Sequence, residues 1–206
     1  PNVVQAKATI RHLIRASDLV QLRSLVERVY KIADGAALMT ETVVEKNVYT
    51  GVSNLLGNKP LEEIMQNEFD KLGPVVFDAN DRVFANEIRS TLTQADILDS
   101  FQRIGLRTPL DMPLCNFVAP LETVGNGGIG STDVGDVSWV VPTVQARVAT
   151  CAVGTPFHTW QTVAQGKSSA AHKGMIHAAK VMASTASALI KDPNKLKEAK
   201  EAFNLQ

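Results

Sequence analysis

The run SSAAHKGMIHAAKVMASTASALI, residues 168–190, constrains the fold more than any other stretch. It is a long helix by composition, dense in alanine, which is the strongest helix former. Small side chains let such a helix lie close against a neighbouring layer. A packed helix of this kind points to a layered domain with one hydrophobic core.

The expected layer is a sheet. Residues 3–15 alternate, with Ala6, Ala8, Ile10, His12 and Ile14 on one face and Lys7, Thr9, Arg11, Leu13 and Arg15 on the other. Period two with one apolar face predicts a half-buried strand. Ser17 or Asp18 can cap a helix over residues 18–33, where Leu19, Leu22, Val26, Val29 and Ile32 or Ala33 recur at helical spacing. TVVEKNVYT, residues 42–50, reads as a second strand, which would complete a compact βαβ-like unit. After the linker SNLLGN, Pro60 and the acidic pair Glu62 and Glu63 suit the start of a helix that Gly73 ends. Residues 79–91 suggest another helix, and Thr93 and Asp96 form a capping-box pattern for a third, ending at Gly105. Residues 105–131 are rich in Pro and Gly and read as irregular. TVQARVATCAV, residues 143–153, reads as a buried strand, and Asp192 and Pro193 begin a last amphipathic helix. The predicted class is α/β.

Charge excludes one function class. Lys plus Arg and Asp plus Glu are 21 each, so the basic excess of a nucleic-acid binder is missing. No apolar run approaches the roughly 20 residues needed to cross a bilayer. The N-terminal PNVVQAKATIRHLIRA lacks the compact apolar core of a signal peptide. A cytoplasmic protein without membrane or nucleic-acid partners is expected, with Cys115 and Cys151 reduced, because their separation fits no zinc or redox motif. A strand-like pattern beginning at Pro1 suggests that the chain starts inside a folded unit.

Candidate chemistry lies in two stretches. GIGSTDVGDVSWVVPT, residues 128–143, sets Asp133 and Asp136 in a glycine-rich loop. Such carboxylates can orient a ligand, hold a metal or bind a polar substrate. They can equally bond their own backbone in a turn. GTPFHTWQ, residues 154–161, places His158 just after a predicted strand, where α/β proteins seat ligands. A neutral imidazole there is a metal ligand or a structural histidine. His172 and His177 are five residues apart on the long helix and do not share a face. Arg15 can clamp a carboxylate with its forked donors, or lie solvated on a strand. Nucleophile-elbow, P-loop and dinucleotide fingerprints are missing.

PNVVQAKATIRHLIRA, GIGSTDVGDVSWVVPT, GTPFHTWQ and AQGKSSAAHKGM together resemble the zinc-dependent aminoacylase and carboxypeptidase-type amidohydrolases, and the likeness extends through KIADGAALMT and GPVVFDAN. The resemblance implies an α/β catalytic domain carrying two zinc or manganese ions, with a ferredoxin-like α+β lid inserted in it. Residues 1–53 would be the second half of that lid and residues 54–206 the C-terminal half of the catalytic domain. It also implies hydrolysis of an amide bond to a glutamate-like residue, of the aminobenzoyl-glutamate type. His158 would be a metal ligand. Arg15 and Asn2 would reach the substrate carboxylate, Asp133 or alternatively Asp136 would line the site, and Gly130 would bring backbone donors near the substrate. The general base and most ligands would lie in an N-terminal half outside this sequence, so the chain alone would be an inactive fragment. Its partners would be a second copy joined through residues 1–53, and the missing half or a second subunit. The other reading is a non-catalytic assembly or regulatory protein derived from the same family.

Overall fold

The computed structural model describes residues 2–102, 105–107, 109–122 and 130–206. In chain order the helices are α1 (Leu19–Met39), α2 (Lys59–Leu72), α3 (Ala79–Arg89), α4 (Gln94–Gln102), α5 (Val134–Ser138), α6 (Trp160–Gln165), α7 (Ser169–Lys191) and α8 (Pro193–Asn204). Among the described residues there is no strand. The structure is therefore all-helical, and the expected α/β class is wrong. Residues 3–15, 42–50 and 143–153 keep their strand-like composition but make no ladder. A strand is stable only when a neighbour takes its backbone hydrogen bonds. Residues 3–15 have no such neighbour among the described residues, and their apolar side chains are open, with Ile10 76% and Leu13 85% exposed.

The chain forms two compact units. The first comprises Pro1–Leu56 and Ser131–Trp139; the second comprises Gly57–Gly130 and Val140–Gln206. Residues 131–139 cluster with the N-terminal stretch although some 75 residues of the second unit intervene in sequence.

In the first unit Asp18 caps α1, accepting from the Gln21 N–H at 2.9 Å. The helix runs past the predicted end at residue 33 and through Gly35, because Ala36, Ala37, Leu38 and Met39 are strong helix formers. Its stripe of Leu19, Leu22, Val26, Val29 and Ala33 is only half-buried, and α1 buries no residue fully. Lys46 binds Asp34 at 2.6 Å and lies over the Tyr30 ring, and Arg11 lies over the Tyr49 ring.

The second unit has real cores. Leu61 and Ile64 of α2 meet Ala199 of α8, with Val144, Ala188 and Leu189 against them. Val75, Phe77, Ala85, Ile88, Leu114, Ala152 and Ala170 form the other core. α2 packs against both α7 and α8. Asn58 joins them: its Oδ1 caps α2 at the Leu61 N–H, 3.2 Å, while its Nδ2 donates to the Ala199 carbonyl, 2.9 Å. The small residues of α7 serve the close packing expected of them, though against chain rather than sheet. A Cβ on Gly174 would sit 2.2 Å from the Ala149 carbonyl oxygen. The predicted helix punctuation is present: Gly73 ends α2 at φ 71°, and Thr93 and Asp96 exchange capping hydrogen bonds at α4. Arg103, Ile104, Thr108 and residues 123–129, parts of the predicted third helix and glycine-rich stretch, lie outside the described residues.

Candidate functional site

In the second unit, His158 stands on the loop between Ala152 and α6. Its φ is 66°, in the left-handed region that residues with a Cβ seldom occupy. Its side chain is exposed. The loop is tied down on both sides. Gln165 of α6 is buried, and its Oε1 accepts from the Ala152 N–H at 2.7 Å. Its Nε2 donates to Thr155 Oγ1 and to the Gln161 carbonyl, each at 3.0 Å. The Thr159 and Thr162 hydroxyls both donate to the Pro156 carbonyl, each at 2.7 Å. Gly154, at φ 97°, packs against the Ile97 backbone. Backbone held in such a conformation persists only where its surroundings over-determine it, which is common at functional sites. Phe157 and Trp160 flank the histidine and are largely exposed.

In the first unit, Arg15 reaches the acidic turn. Its Nη2 donates to Ser131 Oγ at 3.0 Å. No carboxylate pairs with this guanidinium among the described residues. Asp133 and Asp136, which the sequence leaves as alternatives, have different settings. Asp136 accepts from the Ser53 N–H at 2.8 Å. The Ser53 hydroxyl, then its backbone N–H, hold the Asp136 carboxyl below the usual range. Beside it Ser138 accepts from the Leu56 N–H and the Trp139 indole donates to the Asn54 carbonyl, both at 2.9 Å. Asp136 is thus part of a clamp on residues 53–56. Asp133 precedes α5, makes no capping hydrogen bond and is exposed. Asn2 and Gly130 are exposed, and no atom lies within 4 Å of where a Gly130 Cβ would stand.

Several other titratable groups are engaged in ties between elements or are buried. Lys173 of α7 bonds Asp78 at 2.6 Å and also Asp81, tying α7 to the α3 N-terminus. Burial pushes Asp81 up, but hydrogen bonds from Lys173 and the Asp78 backbone outweigh it and leave the carboxyl below its ordinary range. Glu68, bonded by Lys71 and then by Ser184, is likewise lowered. Burial raises the thiols of Cys115 and Cys151, which are both free. His172 is exposed at the start of α7, while His177 lies against Phe69 with a buried Nε2 that has no hydrogen-bond partner among the described residues.

The described side chains do not by themselves make a site for the two zinc or manganese ions that the resemblance implies. No group of three or more His, Cys, Asp or Glu gathers at one point among the described residues. A catalytic zinc takes three protein ligands. The sequence reading missed Ser131 and Gln165. Nothing in local composition separates Gln165 from Gln161; only burial and the loop bonds do.

No family model matches the chain, and no solved structure matches it. The chain is 41% identical, over 211 aligned positions and 98% of its length, to a subunit of the p-aminobenzoyl-glutamate hydrolase of Escherichia coli (strain K12). It spans 44% of that protein's length. No helix among the described residues is long and apolar enough to cross a membrane.

Proposed function

We propose that this chain is part of an amidohydrolase of the aminoacylase and carboxypeptidase type, acting on an amide bond to a glutamate-like residue. The observation that carries the reading is the 41% identity to one chain of a p-aminobenzoyl-glutamate hydrolase, across 98% of the sequence. The local geometry supports it. A guanidinium that, among the described residues, bonds a serine and no carboxylate suits a substrate carboxylate, which it can bind bidentately. Holding the glutamate end fixes the scissile amide, a proximity effect. Asp133 supplies an unengaged carboxylate in the same unit, shortly after Gly130 in the chain, and Asn2 is a further polar group. His158 supplies an imidazole displayed on a constrained loop of the other unit. Family chemistry would make it a zinc or manganese ligand. One imidazole cannot hold a catalytic ion by itself.

The chain spans less than half of its relative, so the reading includes a division of labour. The general base and remaining ligands come from polypeptide outside these residues or from a second subunit, the relative being itself named as one subunit of its hydrolase. Residues 1–53 join two copies, consistent with the apolar side chains they expose. The protein is placed in the cytoplasm, where its thiols stay reduced. The test is p-aminobenzoyl-glutamate hydrolysis by this chain alone and by a polypeptide of the relative's full length. The 206-residue chain should be inactive and the longer one active. In the longer protein Arg15→Met should raise KM by about tenfold or more, the worth of a charge-assisted hydrogen bond. A longer protein without turnover, or an unchanged KM, would defeat the reading.

A further inference from the structure

We propose that Gln165 is a positioning residue that sets the backbone at His158 and with it the direction in which the imidazole is presented. The inference rests on His158 being functional, but its test does not require hydrolysis.

Gln165 is 3% exposed, and its carboxamide accepts one hydrogen bond and donates two. The Ala152 N–H can only donate, so it fixes which end of the amide is Oε1. Both Nε2 hydrogens then go to Thr155 Oγ1 and the Gln161 carbonyl. Thr155 Oγ1 in turn donates to the Ala152 carbonyl at 2.7 Å, which closes a hydrogen-bonded ring through residues 152, 155 and 165. Beyond it, Pro156 is held by Thr159 and Thr162. The chain is therefore pinned up to Pro156 and again from Thr159, leaving Phe157 and His158 to span the gap. The Gly154 turn cannot shift to relieve them, because a Cβ built there would already lie 2.8 Å from Ile97 Cα. Closure under these restraints puts His158 at φ 66°. Leucine at 165 would leave the Ala152 N–H buried and unpaired. Glutamate would keep an acceptor but lose both donors and bury a charge.

The measurement is the melting temperature of the chain carrying His158→Gly in two backgrounds, together with the His158 ring resonances. Glycine takes positive φ freely, so His158→Gly should raise the melting temperature by about 2–4 °C when Gln165 is present. In a Gln165→Leu background that gain should vanish. The His158 ring signal should then broaden or split, while that of His12, which is exposed in the other unit, stays single. Equal gains in both backgrounds, or an unchanged ring signal, would overturn the proposal. Should Gln165→Leu fail to fold, Thr155→Val removes one Nε2 acceptor and the hydroxyl bond to the Ala152 carbonyl, and keeps the Ala152 N–H bond to Gln165 Oε1. A reduced glycine gain there supports the proposal and an undiminished gain overturns it. Failure of the hydrolase reading would show instead as missing turnover with these loop effects intact.

Discussion

α1 and α7 are nearly the same length, 21 and 23 residues, and both carry an apolar stripe at helical spacing. α7 buries Ala170, Gly174, Val181 and Thr185; α1 buries none. The difference lies in what each helix finds nearby. α7 has α2, α8 and the chain at 149–150 against it, and its small residues admit backbone to close range. α1 has the short stretch around Lys46, and its unit holds no buried apolar cluster among the described residues. Amphipathic pattern is a capacity for burial, and neighbours decide how much of it is used.

The sharpest way to break this contrast is a matched pair of truncations. Ile64→Ala, inside the α2–α8 core, should cost about 3 kcal/mol through lost burial and a cavity. Ile32→Ala on α1, where the side chain is 68% exposed, should fall within about 0.5 kcal/mol. Urea titration followed by circular dichroism measures both; similar costs would dissolve the distinction. Gly135→Ala tests a close backbone approach in the first unit. A Cβ there would lie 2.1 Å from the Ser53 carbonyl oxygen, so the clamp on residues 53–56 should open, at about 2 kcal/mol. Amide exchange at Ser53 and Leu56 should rise, and unchanged protection would show that the clamp does not hold this segment.

A weaker effect is expected in acid. Hydrogen bonds from Lys173 and the Asp81 backbone lower the Asp78 carboxyl; Asp81, pushed up by burial, is brought below its usual range by Lys173 and the Asp78 backbone. A depressed carboxylate contributes stability above its unfolded value, near pH 4, that is lost as pH falls through the lower folded value. The second unit should therefore lose urea resistance between about pH 4 and 2. Lys173→Met should lower its stability at pH 7 and flatten or reverse that slope; an unaltered slope would assign the acid response to other groups. The smallest effect is expected at Asp133. Asp133→Ala should change stability by no more than about 0.5 kcal/mol, whereas Asp136→Ala should release the Ser53 amide to exchange. Comparable exchange in the two variants would contradict their different settings.

Much of the helical content was legible. Asp18, Gly73, the Thr93–Asp96 pair and Pro193 mark ends that local chemistry sets, since caps and breakers act within a turn of themselves. The strands were not. Residues 3–15 and 143–153 have the right alternation, but a ladder needs a second segment at the right distance and register, which no local pattern supplies. Among the candidate residues, His158 of the second unit and Arg15 and Asp133 of the first were visible as residue types, whereas their settings were not. Arg15 meets Ser131 across 116 positions of sequence. Asp136 was separated from Asp133 only by the Ser53 amide that it captures from 83 positions away.

The sequence by itself determined where most helices start and stop, which of their faces are apolar, and which side chains could bind a carboxylate or an ion, because those properties depend on neighbours within a few residues. Tertiary structure alone decided which apolar faces are covered, which aspartate is consumed as a clamp, and that a buried glutamine bonds the loop on which His158 stands at positive φ. Each of these requires groups distant in the chain, or folded back upon it, to converge within hydrogen-bonding or van der Waals range.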